Sequence, residues 1–311
     1  MTKPLALLFP GQGTQKVGMG KDLADNFAAA RQVFEEVDEA LSQKLSALMF
    51  DGPQEELTLT TNAQPAIMAC GVAAYRVLQE EAGLTLDPVV GLAGHSLGEY
   101  AAHTCAGSFD LTTAAKLLRI RSQAMLEAMP KGTGAMAALL GATLEEAEEI
   151  AEQSGSELAN DNCPGQVVLS GLAPTIEEAI HLAKKAGKKA IKLEVSGAFH
   201  SSGMKPAQLR MEEALAEADV HDPVKPVVAN FDYTLVMTAY EARRTLAEQV
   251  TGRVRWQDDI RVLREEGAQG FLELGAGRVV SGLLRKIDRG LETANFGEAS
   301  DMDAARALIG N

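Results

Sequence analysis

Residues 87–102, DPVVGLAGHSLGEYAA, pass from a short apolar run into a helix-like one through a single serine, Ser96, with Gly94 and Gly98 two positions to either side. Val89 to Ala93 has the length and unbroken apolarity of a strand buried on both faces, and Leu97 to Ala106 has the pattern of a helix. A strand that turns directly into a helix is the repeating unit of an α/β fold with a largely parallel sheet. The sharp turn accounts for the glycines, because strand and helix approach each other too closely there for side chains.

Outward from this turn the same rhythm recurs. Leu5 to Phe9 reads as another buried strand that stops at Pro10 and enters a glycine turn, and helical spacing runs from Lys21 to about Phe50 and again from Gln64 to Ala82. Beyond the serine, two helices are broken by GSFDLTT. Between Gly132 and Ser196 the pattern changes. GAMAALLG reads as a strand, TLEEAEEIAEQSG as a capped helix, SELANDNCPGQVVLSG as two strands around an Asn/Pro/Gly turn, TIEEAIHLAKKAG as a helix closed by glycine, and KKAIKLEVS as a strand. The order βαββαβ is that of a ferredoxin-like unit. The expected architecture is a large α/β domain of residues 1–131 and 198–311, interrupted by a small α+β domain of residues 132–197. A ligand cleft is expected between the two.

With 311 residues, 46% of them hydrophobic, the chain can bury a large core. A formal charge of −14 argues against nucleic acid, which needs clustered cations. No apolar run is long enough to cross a bilayer and the N-terminus lacks the core of an export signal, so a cytoplasmic location without membrane attachment is expected. Cys70, Cys105 and Cys163 lie far apart, without the spacing of a disulfide framework or a zinc site, and read as reduced core thiols; no metal or redox cofactor is expected. One segment runs against the overall charge. KKAGKKAIK, Lys184 to Lys192, gathers five lysines, as a solvated helix end or as a docking patch for an acidic partner.

A hydroxyl at the strand-to-helix turn gains the free N–H groups of the helix N-terminus, starting with Leu97, which can receive a developing oxyanion. The same position also suits a serine that only caps the helix. As a nucleophile, Ser96 needs a base. His181 falls on the polar side of its helix and His221 in the turn VHDPVKP, while His95 and His103 adjoin the serine in sequence and so point elsewhere. His200, in VSGAFHSSG, lies where the chain re-enters the large domain; it is the candidate base, with a purely structural histidine as the alternative.

In LTTAAKLLRIRSQAMLEAM, a projection at about 100° per residue puts Ala114, Leu117, Leu118, Met125 and Ala128 on one stripe, with Arg121 at its centre and Arg119 well away. A guanidinium keeps its charge on burial, so Arg121 must meet an anion, either a protein carboxylate or a ligand. Beside a serine nucleophile it suggests a substrate with a free carboxylate, gripped by two parallel hydrogen bonds. A hydrolase of neutral esters would have no use for it.

Together these residues resemble the malonyl-CoA:acyl carrier protein transacylase family. The resemblance runs nearly the whole length, through FPGQGTQ (9–15), TNAQPA (61–66), GHSLGEYAA (94–102), RIRSQAM (119–125), GTGAMAA (132–138), NCPGQVVLSG (162–171), GAFHS (197–201), VVAN (227–230), EQVTGRVRW (248–256) and ELGAG (273–277). It implies a hydrolase-like α/β domain with a ferredoxin-like insertion, Ser96 as the acyl-carrying nucleophile, His200 as its base and Arg121 as the holder of the malonyl carboxylate. It further implies an oxyanion hole from the backbone N–H groups of Gln12 and Leu97, and a histidine oriented by main-chain carbonyl contact near Gln249 instead of an acidic triad member. Gln249 and Asn162, the latter near the thioester arm, join the substrate-binding set on the same grounds. GAFH resembles the malonyl-selective version of its motif, in which Phe199 leaves no space for an α-methyl branch. TGRVRW and NFDYTLV depart from the family's usual turns and bear on loop shape and carrier docking more than on chemistry.

The resemblance thus implies a cytoplasmic monomer that moves malonyl groups from malonyl-CoA to the phosphopantetheine thiol of acyl carrier protein, through a malonyl-serine ester, for fatty acid biosynthesis. The carrier family is acidic and so is this chain, so a local cationic patch is needed; Lys184, Lys185, Lys188 and Lys189 are one candidate, Arg285 and Lys286 another. GQGTQKVG, the only hint of a dinucleotide-binding turn, places its third glycine too late.

Overall fold

The computed structural model describes residues 3–195 and 197–310. Among these, ten strands occur: β1 (Leu5–Phe9), β2 (Val89–Gly94), β3 (Gly134–Leu140), β4 (Glu157–Cys163), β5 (Gln166–Leu172), β6 (Lys189–Lys192), β7 (Val227–Val228), β8 (Leu235–Val236), β9 (Gly270–Leu274) and β10 (Glu292–Phe296). They form two sheets. The larger has the order β10-β9-β1-β2-β7-β8 and is parallel except for β8, which returns antiparallel against β7. The smaller, β4-β5-β3-β6, is antiparallel throughout. The fold is therefore mixed α/β, with a mostly parallel sheet and a separate antiparallel one.

All five residues of β1, LALLF, are buried because helices cover both faces of the large sheet. Leu5, Leu7 and Phe9 join one core with the helix Thr60–Ala82, while Ala6 and Leu8 join a second with Trp256, Ile260 and Leu284. Burial on both faces demands continuous apolarity, which is what the sequence shows. The small sheet is likewise covered twice. Ala135, Ala137 and Leu139 of β3 face the helices Leu144–Ser154 and Ala173–Lys185, whereas Met136 and Ala138 turn into the core of the large sheet. The lobes are also stitched through backbone: Asp161 N–H donates to the Val254 carbonyl at 2.9 Å and Val254 N–H to that of Ala159 at 2.8 Å.

Three expectations shift. The run from Lys21 to Phe50 is three helices, Lys21–Asn26, Ala28–Leu41 and Leu45–Asp51, separated by an extended Phe27 and a left-handed Ser42 (φ 48°). The apolar residues keep facing one core across both breaks, so periodicity does not register them. After a short helix, Gln54–Thr58, the helix expected from Gln64 begins at Thr60, four residues earlier, with Pro65 inside it. The strand expected to reach Ser196 ends at Lys192, and Ser196 itself lies outside the described residues. All three cysteines are buried and free, and no helix among the described residues is long and apolar enough to cross a membrane.

Candidate active site

β2 ends at Gly94 and the helix Gly98–Cys105 begins four residues later, so His95, Ser96 and Leu97 make the whole turn. A methyl group on Gly94 would lie 1.9 Å from the carbonyl carbon of Gly98, and one on Gly98 would lie 2.5 Å from the Phe9 oxygen, so neither position admits a side chain. Ser96 itself is left-handed, at φ 54°. For a non-glycine residue that conformation costs about 1–3 kcal/mol and persists only where neighbours enforce it. Here its N–H donates to Asn230 Oδ1 at 2.7 Å and its carbonyl accepts from Gln249 Nε2 at 2.9 Å. The hydroxyl caps no helix. It faces a cavity of about 280 Å³ whose walls include Gln12, Gln64, His95, Arg121, Phe199 and His200. A larger cleft of about 380 Å³, bordered by Lys16, Asp22, Arg278 and Asp301, holds neither serine nor histidine and stands apart from this chemistry.

His200 Nε2 lies 2.8 Å from Ser96 Oγ. Its Nδ1 faces two carbonyl oxygens, those of Gln249 at 2.9 Å and Gly252 at 3.1 Å. Carbonyls only accept, so Nδ1 carries the ring proton and Nε2 presents a lone pair to the hydroxyl. Burial, helped by the nearby charge of Arg121, brings the His200 pKa down to about 3, which keeps the ring neutral, with its Nε2 lone pair free, at ordinary pH. Two carbonyls thus do the orienting that an aspartate does in the Ser-His-Asp arrangement.

Arg121, 1% exposed, sits where the helix Leu111–Glu127 crosses behind the serine. Nη2 donates to Ser96 Oγ at 3.0 Å and to Gln249 Oε1 at 2.8 Å, and Nη1 donates to Gln64 Oε1 at 2.8 Å. Every one of these acceptors is neutral. Its Nε has no partner, and no ion pair joins it to a carboxylate among the described residues, which removes the internal salt bridge as the reason for its burial. Burial works against its charge, while the Tyr100 ring beneath it (5.8 Å) and the more distant Glu99 support it. A fixed cation with neutral partners, aimed at the Ser96 hydroxyl, is half of an ion pair that an anionic ligand can complete.

The remaining expected residues divide into wall and scaffold. Gln12 follows β1 and lines the cavity, brought close because Gly11 packs on the turn, where a methyl would meet the His95 oxygen at 2.6 Å. The N–H groups of Gln12 and Leu97 meet no backbone acceptor among the described residues. Phe199 is in the wall. Gln249 is fully buried behind Arg121 and reaches a ligand only through Arg121 and His200. Asn162 is not in the wall either; its Oδ1 accepts from His95 Nε2 at 2.8 Å, tying β4 to the turn. His95 departs from expectation, for it lines the cavity, its ring 5.5 Å from that of Trp256. His181 and His221 are exposed, and His103 is buried against Ser108.

Sequence reasoning missed Gln64, Asn230 and Glu99. Each is a polar side chain inside an apolar stretch, the signal that singled out Arg121. Asn230 Nδ2 donates to the Gly94 carbonyl and to Asp259 Oδ2, both at 2.8 Å, and holds the turn from beneath. Burial pushes the Glu99 carboxyl up to about 7, against the hydrogen bonds from Asn230 and Gln249.

Known proteins share both sequence and shape with this chain. The family model of the acyl transferase domain matches residues 6–300. The malonyl CoA-acyl carrier protein transacylase of Bacillus subtilis (strain 168) is 43% identical over 307 residues, covering 97% of this chain and 96% of the relative. The crystal structure of an acyl-carrier-protein-S-malonyltransferase from Bartonella henselae superposes with a TM-score of 0.95 at 44% identity, covering 99% of each chain. A malonyl-transacylase solved in complex with its type II PKS acyl-carrier protein gives 0.95 at 37% identity, over 99% of this chain and 100% of the other.

Proposed function

The chain belongs to the acyl transferase family, and from that premise we propose that it moves malonyl groups from malonyl-CoA to the phosphopantetheine thiol of acyl carrier protein, in fatty acid biosynthesis. His200 Nε2 takes the Ser96 proton as Oγ attacks the thioester carbonyl. The oxyanion that forms meets the N–H groups of Gln12 and Leu97. When the C–S bond breaks, the imidazolium returns the proton to the leaving sulfur, coenzyme A departs as a thiol, and a malonyl-serine ester remains. The carrier's thiol then attacks that ester by the same route, so the kinetics are ping-pong. Arg121 binds the malonyl carboxylate and keeps the reactive carbonyl aligned with Ser96.

The observation that carries this reading is Arg121, buried beside the nucleophile with only neutral partners. The element order and the strand order β4-β5-β3-β6 support reading residues 132–197 as a ferredoxin-like insertion into a hydrolase-like domain of 1–131 and 198–311. We read the chain as a cytoplasmic monomer whose macromolecular partner is the carrier protein; the charge of −14 supports a monomer and argues against nucleic acid, and it makes a local cationic patch necessary for carrier docking. For carrier docking, Lys184, Lys185 and Lys189 are exposed, while Lys188 is paired with Glu146 at 2.6 Å; Arg285 and Lys286 are the second exposed candidate. Intact mass after incubation with malonyl-CoA, acetyl-CoA or methylmalonyl-CoA tests the proposal. One malonyl adduct, passed on to carrier protein, is expected; rapid release of free malonate without carrier would mark a hydrolase instead.

A further inference from the structure

We infer that Glu99 is a positioning residue for carboxylate selection, acting by fixing the side-chain amide of Gln249 against Arg121. The inference rests on the malonyl-transfer reading and adds a residue to it. Glu99 lies three residues after the nucleophile, fully buried, and one oxygen, Oε2, accepts from Gln249 Nε2 at 2.7 Å and from the Asn230 N–H at 3.1 Å.

Gln249 links everything at this end of the cavity. Its backbone carbonyl holds His200 Nδ1, its Nε2 reaches the Ser96 carbonyl and Glu99, and its Oε1 receives Arg121 Nη2. A side-chain amide fits its space in either of two orientations, and the surrounding donors and acceptors choose between them. In the observed orientation every contact is donor to acceptor. Flipped, the NH₂ would oppose the guanidinium and the oxygen would oppose both Glu99 and the Ser96 carbonyl. The Ser96 carbonyl is a single neutral acceptor; Glu99, whose pKa burial raises to about 7, supplies the stronger, charge-assisted one when ionised above that pH.

This arrangement has a consequence for the substrate. Glu99 supports the guanidinium through an intervening amide and does not pair with it, so no protein carboxylate occupies the fork that a malonyl carboxylate needs. A direct ion pair would satisfy Arg121 and shut the ligand out. Without Glu99 the amide loses its director, and Arg121 loses the fixed acceptor that aims Nη2 toward the cavity. The base is affected less, because His200 is held by the main chain of Gln249 and by Gly252.

The test is the ratio of kcat/KM for malonyl-CoA to that for acetyl-CoA in serine loading, measured on the folded chain at about pH 8, where Glu99 is mostly ionised. Glu99→Gln keeps the size and one oxygen but not the charge, and is expected to lower that ratio by about threefold to tenfold, as a charge-assisted bond becomes a neutral one. Glu99→Ala, which removes the side-chain acceptor altogether, is expected to lower it by about tenfold to a hundredfold, chiefly through the malonyl-CoA KM. A residue that merely supports the fold would slow both substrates in proportion. A wild-type ratio in Glu99→Gln overturns the inference, whether or not Glu99→Ala folds. The wild-type chain is measured first: lack of its malonyl adduct would sink the malonyl-transfer reading, a result distinct from an unchanged ratio in the variant.

Discussion

Two serine–histidine pairs lie in this molecule at the same separation, Ser96 Oγ to His200 Nε2 and Ser108 Oγ to His103 Nδ1, both 2.8 Å. Both rings are buried, and burial lowers both pKa values to about 3. Everything else differs. Ser108 and His103 are wholly inside the core, the ring 5.9 Å from Phe109 and its Nε2 without a partner. Ser96 stands on a strained turn facing a cavity, a cation touches its oxygen, and two carbonyls fix which nitrogen of its histidine is basic. Proximity and a depressed pKa are therefore common to both pairs and cannot define a site. The tautomer, the reaction volume and the fixed charge do.

The sharpest way to break this comparison is to remove each hydroxyl. Ser96→Ala is expected to lower malonyl loading by about 10⁴-fold or more, as losses of a nucleophile do. Ser108→Ala should load at close to the wild-type rate when both are followed by intact mass. Next in size is the base: His200→Ala is expected to slow loading by about 10²–10⁴-fold, the range of general base catalysis, in single-turnover measurements. His103→Gln should leave that rate in place.

Arg121→Ala comes third. Its charged hydrogen bonds to a carboxylate are worth about 1.5–3 kcal/mol each, so malonyl preference should fall by at least about tenfold while acetyl loading persists. A preference that survives the substitution would take that arginine out of the selecting role.

The smallest expected effect concerns stability. An unfolded histidine titrates near 6.5, whereas folded His103 does so at about 3, so between these values the unfolded state binds the extra proton. Stability contributed by neutral His103 is whole above 6.5 and is lost as pH falls through that window, by about 2 kcal/mol at pH 5. Denaturant unfolding at pH 7 and pH 5 should show His103→Gln losing about that much less than wild type. Equal pH slopes would mean that His103 is protonated in the fold.

These two pairs also mark what was legible in the sequence. The turn at Ser96 was readable because glycine spacing and an apolar strand leave only one geometry, and Arg121 because a charge on an apolar stripe needs a reason. His200 emerged from its place in the chain order. By contrast, Gln64, Asn230 and Glu99 come from three distant segments, and only folding reveals that their donors and acceptors interlock. Adjacency in sequence argues that the His95 side chain points away from that of Ser96, yet both line the cavity, at a turn where Ser96 is left-handed. The two breaks between Lys21 and Asp51 stayed hidden because the apolar spacing continues across them.

The most direct trial of the account is rapid-quench peptide mapping after mixing with malonyl-CoA, followed by a chase with the thiol of acyl carrier protein. The account predicts malonyl on the peptide bearing Ser96, formed in step with a burst of free coenzyme A and lost at the rate at which the carrier gains it. Malonyl found on another residue, or carrier acylated at the full rate by Ser96→Ala, would contradict it.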